Sequence, residues 1–423
     1  MGVHDFTRLA GRGMLVQLAL LASGPLLARL LGPEGRGELA LAMAVGLMFS
    51  QGVMGGTAVA VAHAVAGSRA PARRILGPHL RRWAWHGLAT GGAAGLTTWL
   101  LLGRTGSGAA LQLGLAVAVL ATLSAWAQVV GAMLRGEGNV RYVTLLPIIG
   151  VMIYVVGVVA CFLLAPGVGA AVVALIYVVG QLVGLQIGWR ALRADRGEPA
   201  DVAERRSLGS MARRSWATAV NTLGLGFDQL VVVLVLGTHS LGLYAVAVSI
   251  TNVPAMALRS VASMLMPRLV AMGPTAARAT ARRWLVAAAG LDLLLVVGLE
   301  IVIGPVIRIL FGDDFAPAIP AARIIIIAWG FMAYRLMLTA VLQAQGRAGA
   351  ASVVEIVATV FLAGACVAGA KLAGLEGVAV ALTATSIVAC LAAATQLRWT
   401  EGPRHPGRSV RPGASPRPPR PAR

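Results

Sequence analysis

Two runs of this chain, residues 140–165 and 372–397, hold about 20 or more mostly apolar residues each, enough to cross a bilayer as helices. That constrains the fold more than any motif. Inside hydrocarbon the backbone must satisfy its own polar groups, so spanning segments are helices or closed barrels, and runs this long are helices. The rest of the chain agrees: 58% of residues are hydrophobic, 12% are charged, and mean hydropathy is +0.80. A soluble domain carries roughly 25% charged residues. The chain is predicted to be an all-α polytopic membrane protein.

Twelve spans are predicted, at 9–31, 40–66, 82–103, 109–134, 142–165, 169–190, 214–236, 240–266, 283–311, 318–345, 349–372 and 374–397. Arg8 and Arg12 before the first run resemble the start of a signal peptide, but the run is too long for one and reads as an uncleaved first helix. Basic residues give the orientation. Of 36, all but Lys371 are arginine, and 28 fall on the side holding the N-terminus, the even-numbered loops and the tail. Arg29, Arg36, Arg104, Arg308 and Lys371 fall on the other. This bias predicts two cytoplasmic termini. The net charge of +20 is thus a topology signal facing anionic headgroups, and nucleic acid is not an expected partner.

The chain also repeats itself. Residues 31–42 read LGPEGRGELALA and residues 236–247 read LGTHSLGLYAVA, with Gly32, Gly37, Ala40 and Ala42 matching Gly237, Gly242, Ala245 and Ala247. Arg81-Arg82-Trp83 recurs as Arg282-Arg283-Trp284, Leu134 with Gly138 as Leu342 with Gly346, and Leu164, Ala165 and Gly169 as Leu372, Ala373 and Gly377. Each echo falls between one span and the sixth after it. The expectation is two six-helix halves of like orientation around a central cavity, an arrangement that suits alternating access. The domains expected are 1–190 and 214–398, joined by a polar cytoplasmic linker at 191–213 and followed by a disordered Pro/Arg-rich tail at 399–423.

The residues Arg29-Leu30-Leu31-Gly32-Pro33-Glu34 with Gly37, then Asp228, Leu236-Gly237 and Leu241 to Ala247, then Pro254 to Pro267-Arg268-Leu269, carry a family resemblance. The chain resembles the polysaccharide (O-antigen) flippases of the multidrug/oligosaccharidyl-lipid/polysaccharide (MOP) superfamily, over about residues 8–398. The resemblance implies a glycan on undecaprenyl diphosphate, moved between leaflets of the bacterial cytoplasmic membrane. It implies membrane lipids as surroundings, and a polysaccharide polymerase or glycosyltransferases as further partners. Many relatives have fourteen spans against twelve here.

A diphosphate headgroup needs cations within the bundle, and arginine binds phosphate oxygens bidentately. Arg259 stands eight residues before Pro267, about 12 Å into the membrane. It reads as a substrate contact, as the resemblance also implies, or as one half of an ion pair, or as an interfacial anchor. Arg335, fifteen residues past Pro320 and about 22 Å along its helix, reads as a structural pair or a phosphate contact. Its candidate partners are Asp228, Asp292, Glu300 and Glu355. Arg29 reads as a snorkelling anchor or the outer rim of the cavity. Asp228 either neutralises an arginine or relays a coupling cation or proton; Asp292 and Glu300 share one face of the ninth span. Gln17 and Gln51 would bind sugar hydroxyls or bond across helices, and His63 is a packing residue or a titrating gate.

No catalytic residue, metal or cofactor is expected: Cys161, Cys366 and Cys390 are isolated, and the lone lysine forms no P-loop. Two other readings remain. A cation-coupled drug exporter of the same superfamily would need acids in its cavity, yet the first three spans have none in their interiors. A membrane glycosyltransferase or ligase would need larger outer loops than these.

Overall fold

The computed structural model describes residues 3–67, 72–165, 167–192, 226–272, 274–344 and 348–397. The expected tail and the expected linker beyond Leu192 lie outside the described residues. Among the described residues there are ten α-helices, in order: α1 (Val3–Gly67), α2 (Ala72–Arg104), α3 (Ala110–Gly136), α4 (Val140–Leu164), α5 (Ala170–Ala191), α6 (Phe227–Thr251), α7 (Val253–Ala271), α8 (Pro274–Phe311), α9 (Ile319–Ala344) and α10 (Ala348–Gln396). A 3-10 turn, Asp313–Ala318, joins α8 to α9. Among the described residues, eight helices are long and apolar enough to cross a membrane, so the protein is a multi-pass membrane protein.

Three of these helices bend sharply. In α1 the break is Gly32 (φ 65°, ψ −179°), followed by Pro33. In α6 it is Gly237 (φ 88°, ψ 177°), and in α10 it falls at Ala373 and Gly374. At each break stands one glycine with positive φ, joined in α10 by the non-helical Ala373, and glycine adopts that conformation without a Cβ penalty. Pro33, which has no N–H to satisfy, then opens the next helical stretch.

The turn glycines extend the repeat beyond its sequence echoes. Gly32 and Gly237 have positive φ and stand 205 residues apart; Gly106 and Gly312 do so 206 apart, and Gly167 and Gly374 do so 207 apart. A fourth, Gly138, has its sequence partner Gly346 outside the described residues.

Packing divides the helices into two groups. Helices α1 to α5 pack on one another, as do α6 to α10, and the main contact between groups is α1 on α6. Helices α2 and α7 are not among the eight; α2 carries glycines, threonines and tryptophans along its length and arginines at both ends. Gly87, Gly91 and Gly95, one turn apart, form a groove for α3. There Gly87 lies under Trp126, Gly91 under Ala118 and Thr122, and Gly95 under Gly114 and Ala118. Small residues at this spacing let membrane helices approach closely.

Candidate functional site

The two groups are joined next to the Gly32 and Gly237 breaks. A Cβ on Gly37 would overlap the carbonyl oxygen of Thr238, and a Cβ on Gly242 would overlap that of Pro33. Arg29 reaches across at the same end. Its Nε donates to the Leu310 carbonyl at 3.0 Å and its Nη2 to the Ile309 carbonyl at 2.5 Å, both in the last turn of α8. A cation is favourable there, since the final carbonyls of a helix lack partners and carry partial negative charge. The sequence left Arg29 as anchor or cavity rim; the structure gives it the end of a helix from the other group.

Within the first group a lane of a few polar side chains among mostly apolar ones runs between α1, α3, α4 and α5. Arg36, counted from sequence as an outer-loop residue, is instead helical and half-buried in the bundle, because the loop shrinks to one glycine. Its Nε has no hydrogen-bond partner among the described residues. Tyr154 lies within electrostatic range of it and packs edge-on against Tyr177, ring centroids 5.3 Å apart. Tyr177 hydrogen-bonds Gln181. Both Tyr177 and Gln181 line a cleft of about 340 Å³ that also includes Leu20, Gly131, Arg135 and Pro147. The lane thus has a guanidinium near each end. The nearby Glu38 accepts a hydrogen bond from Ser107.

In the second group the acids lead. Asp228 is buried and accepts a 2.7 Å hydrogen bond from the Tyr244 hydroxyl, with backbone N–H groups at the start of α6 bonding it as well. Asp292 and Glu300 face α9: the Asp292 carboxylate lies 3.4 Å from where a Cβ on Gly330 would stand, and Glu300 is within electrostatic range of Arg323. Asp292 Oδ1 is buried with no hydrogen-bond partner among the described residues, beside a cleft of about 280 Å³ that includes Phe331 and Tyr334. Arg335 is buried in α9, and Arg335 and Asp292 both lie within electrostatic range of Cys390.

Arg259 is exposed on α7, beside the packed stripe Ala255, Leu258, Ala262, Leu265 and Leu269. Gln51 is half-buried and His63 exposed. The side chains of Gln17 and Glu355 lie outside the described residues. Arg29 at the end of α8, exposed Arg259 on α7 and buried Arg335 in α9 thus stand in three different settings. Sequence reasoning missed Arg36, Tyr154, Tyr177, Gln181 and Arg135; the one signal available was the apolar setting of two tyrosines and a glutamine in α4 and α5. Among the described residues there is no group of three or more His, Cys, Asp or Glu that could hold a metal.

This helical arrangement is the fold of the MOP-superfamily transporters. A multidrug-resistance transporter of the MATE family in its inward-facing conformation is similar, with TM-score 0.69 and 18% identity over 90% of this chain and 94% of that one. The outward-facing form of a MATE transporter gives TM-score 0.59 and 18% identity, over 92% and 93%. The lipid II flippase MurJ in its inward closed conformation gives TM-score 0.75 and 12% identity, over 92% and 87%. No curated protein sequence matches this chain. Residues 99–320, more than half of the chain, match the family described as polysaccharide biosynthesis protein, and the chain belongs to that family.

Proposed function

We propose that this protein flips a lipid-diphosphate-linked oligosaccharide, a polysaccharide precursor on undecaprenyl diphosphate, across the bacterial cytoplasmic membrane by alternating access. The observation that carries this is membership of a polysaccharide biosynthesis family by a chain with a MOP-transporter fold. On this reading the three bent helices, with α6 and α7 sharing a span, make twelve spans in two six-span halves, 1–190 and 214–398. The arginine bias sets both termini in the cytoplasm. The contacts at the Gly32 and Gly237 breaks close the outer side, in keeping with the higher similarity to an inward-facing relative.

The substrate carries about two negative charges, and the lane from Arg36 to Arg135 offers guanidinium groups with phenol and amide donors between them. Arg259 is the further phosphate contact, with Arg335 supporting the cationic interior and Gln51 placed for sugar hydroxyls. Asp228, held by Tyr244, and Asp292 serve coupling. Glycosyltransferases supplying the glycan, or a polymerase consuming it, are the expected partners. Those same two buried carboxylates favour a second reading, a cation-coupled exporter of cationic small molecules.

Binding separates the two. Purified protein should bind a polyprenyl-diphosphate oligosaccharide, and Arg36→Gln with Arg135→Gln should weaken that binding at least tenfold. Binding of a lipophilic cation that depends on Asp292, with no binding of the diphosphate lipid, would favour the exporter.

A further inference from the structure

The first group holds a second cleft, of different character. It occupies about 510 Å³ between α2, α3 and α5, within the range of small-molecule sites. Its walls are Trp83, Trp126, Val129, Val130, Met133 and Leu185, with Trp189 and Arg190 at the end of α5. Trp126 stands ten residues before the end of α3, so the cleft runs about 15 Å inward from the helix ends.

Among the described residues, the charged side chains of the cleft sit at its mouth. Arg73, from the first turn of α2, donates through Nη2 to the Trp189 carbonyl and lies over the Trp189 ring, 5.1 Å from its centroid. Its Nε has no hydrogen-bond partner among the described residues. Arg190 is adjacent, and Arg81 and Arg82 are exposed farther along α2. The nearby acid, Glu137, accepts from the backbone N–H of Ala72. Tryptophans and arginines at helix ends mark the headgroup level of a bilayer.

We propose that this cleft binds one anionic phospholipid, its phosphate at Arg73 and Arg190 and one acyl chain among Trp83, Trp126 and Met133. An apolar depth below a cationic mouth is the complement of an amphiphile with an anionic head. A free sugar phosphate would leave the apolar walls unused, and a zwitterionic lipid would gain less from the arginines. Helix α3 packs on both α2 and α5, and all three pack on α1, inside one group, so the lipid is a resident ligand of that group, not cargo between the two. The proposal stands independently of the transported substrate.

The test is native mass spectrometry and thermal unfolding of the purified full chain with dioleoyl phosphatidylglycerol, the matching phosphatidylcholine, or glycerol 3-phosphate. One phosphatidylglycerol should be retained per protein and should raise Tm above the value in phosphatidylcholine. The preference should reach about thirty-fold for two arginines at a membrane surface. Arg73→Gln with Arg190→Gln should abolish the preference, and Ala84→Phe, which projects into the cleft, should abolish retention of either lipid. Equal retention of both lipids by the wild type would overturn the proposal, as would an unchanged preference in the double variant or protection by glycerol 3-phosphate alone. Should Ala84→Phe fail to fold, the arginine pair decides.

Discussion

Gly37 and Gly242 meet back to back where α1 crosses α6. A Cβ on Gly37 would stand 2.9 Å from the Gly242 nitrogen, and one on Gly242 would stand 3.1 Å from the Gly37 nitrogen. The two glycines are 205 residues apart, and so are Pro33 and Thr238, whose carbonyls they touch. The contact is therefore reciprocal, as it is across a two-fold axis. Equivalent positions of the repeat lie against each other where α1 meets α6.

Gly37→Ala and Gly242→Ala should each destabilise the protein, since the obstacle is backbone and cannot rotate away. Overpacking of this kind costs about 1–3 kcal/mol. Thermal unfolding in detergent measures it, and the double variant should cost less than the two singles summed, because one separation of α1 from α6 relieves both.

Arg29 should act as a latch between the groups. Replacing a cation at an exposed helix end loses about 0.3–1 kcal/mol, or roughly two- to five-fold in the balance between closed and open. Arg29→Gln should raise maleimide labelling of a cysteine placed at Gly24, whose Cβ would stand 3.8 Å from the Phe311 ring at the same end. Unchanged labelling would remove Arg29 from the closure.

The fold was largely legible from the sequence, and the site was not. The apolar runs and Gly32-Pro33 with Gly237 carry enough local signal to mark where helices lie and turn. Gly106 with Gly312 and Gly167 with Gly374 were invisible as a repeat, because only a positive φ distinguishes them from the many other glycines. Arg36 was misplaced because hydropathy sees a charged residue near a boundary as loop, whereas the chain there resumes its helix within one residue. Tyr154, Tyr177 and Gln181 look like ordinary span residues until α4 packs on α5. Asp228 was singled out from sequence by its apolar setting, yet its partner Tyr244 lies beyond the Gly237 break, out of reach of helical spacing.

Tyr244→Phe should cost about 1–3 kcal/mol, because the buried carboxylate loses its one side-chain donor among the described residues while keeping backbone N–H groups. Asp228→Asn keeps an oxygen to accept from the phenol and should cost less. Equal melting temperatures for wild type and Tyr244→Phe would show that the hydrogen bond contributes nothing to stability.

Asp292→Asn should leave stability unchanged or raise it, because a buried carboxylate oxygen without a donor is costly to keep. Under the coupling role it should nonetheless slow transport. Normal transport with normal stability would remove Asp292 from coupling.

Movement of a diphosphate-linked glycan lipid between leaflets can be read in proteoliposomes with leaflet-resolved transport. The account predicts that wild-type protein exposes the glycan of a polyprenyl-diphosphate oligosaccharide to an external lectin faster than protein-free vesicles do. Arg259→Ala should fold and insert normally but lose this activity. Arg259→Lys should restore it only in part, since a point charge cannot reproduce a bidentate fork. Glycan exposure no faster than in protein-free vesicles, by a wild-type preparation of full stability, would contradict the account.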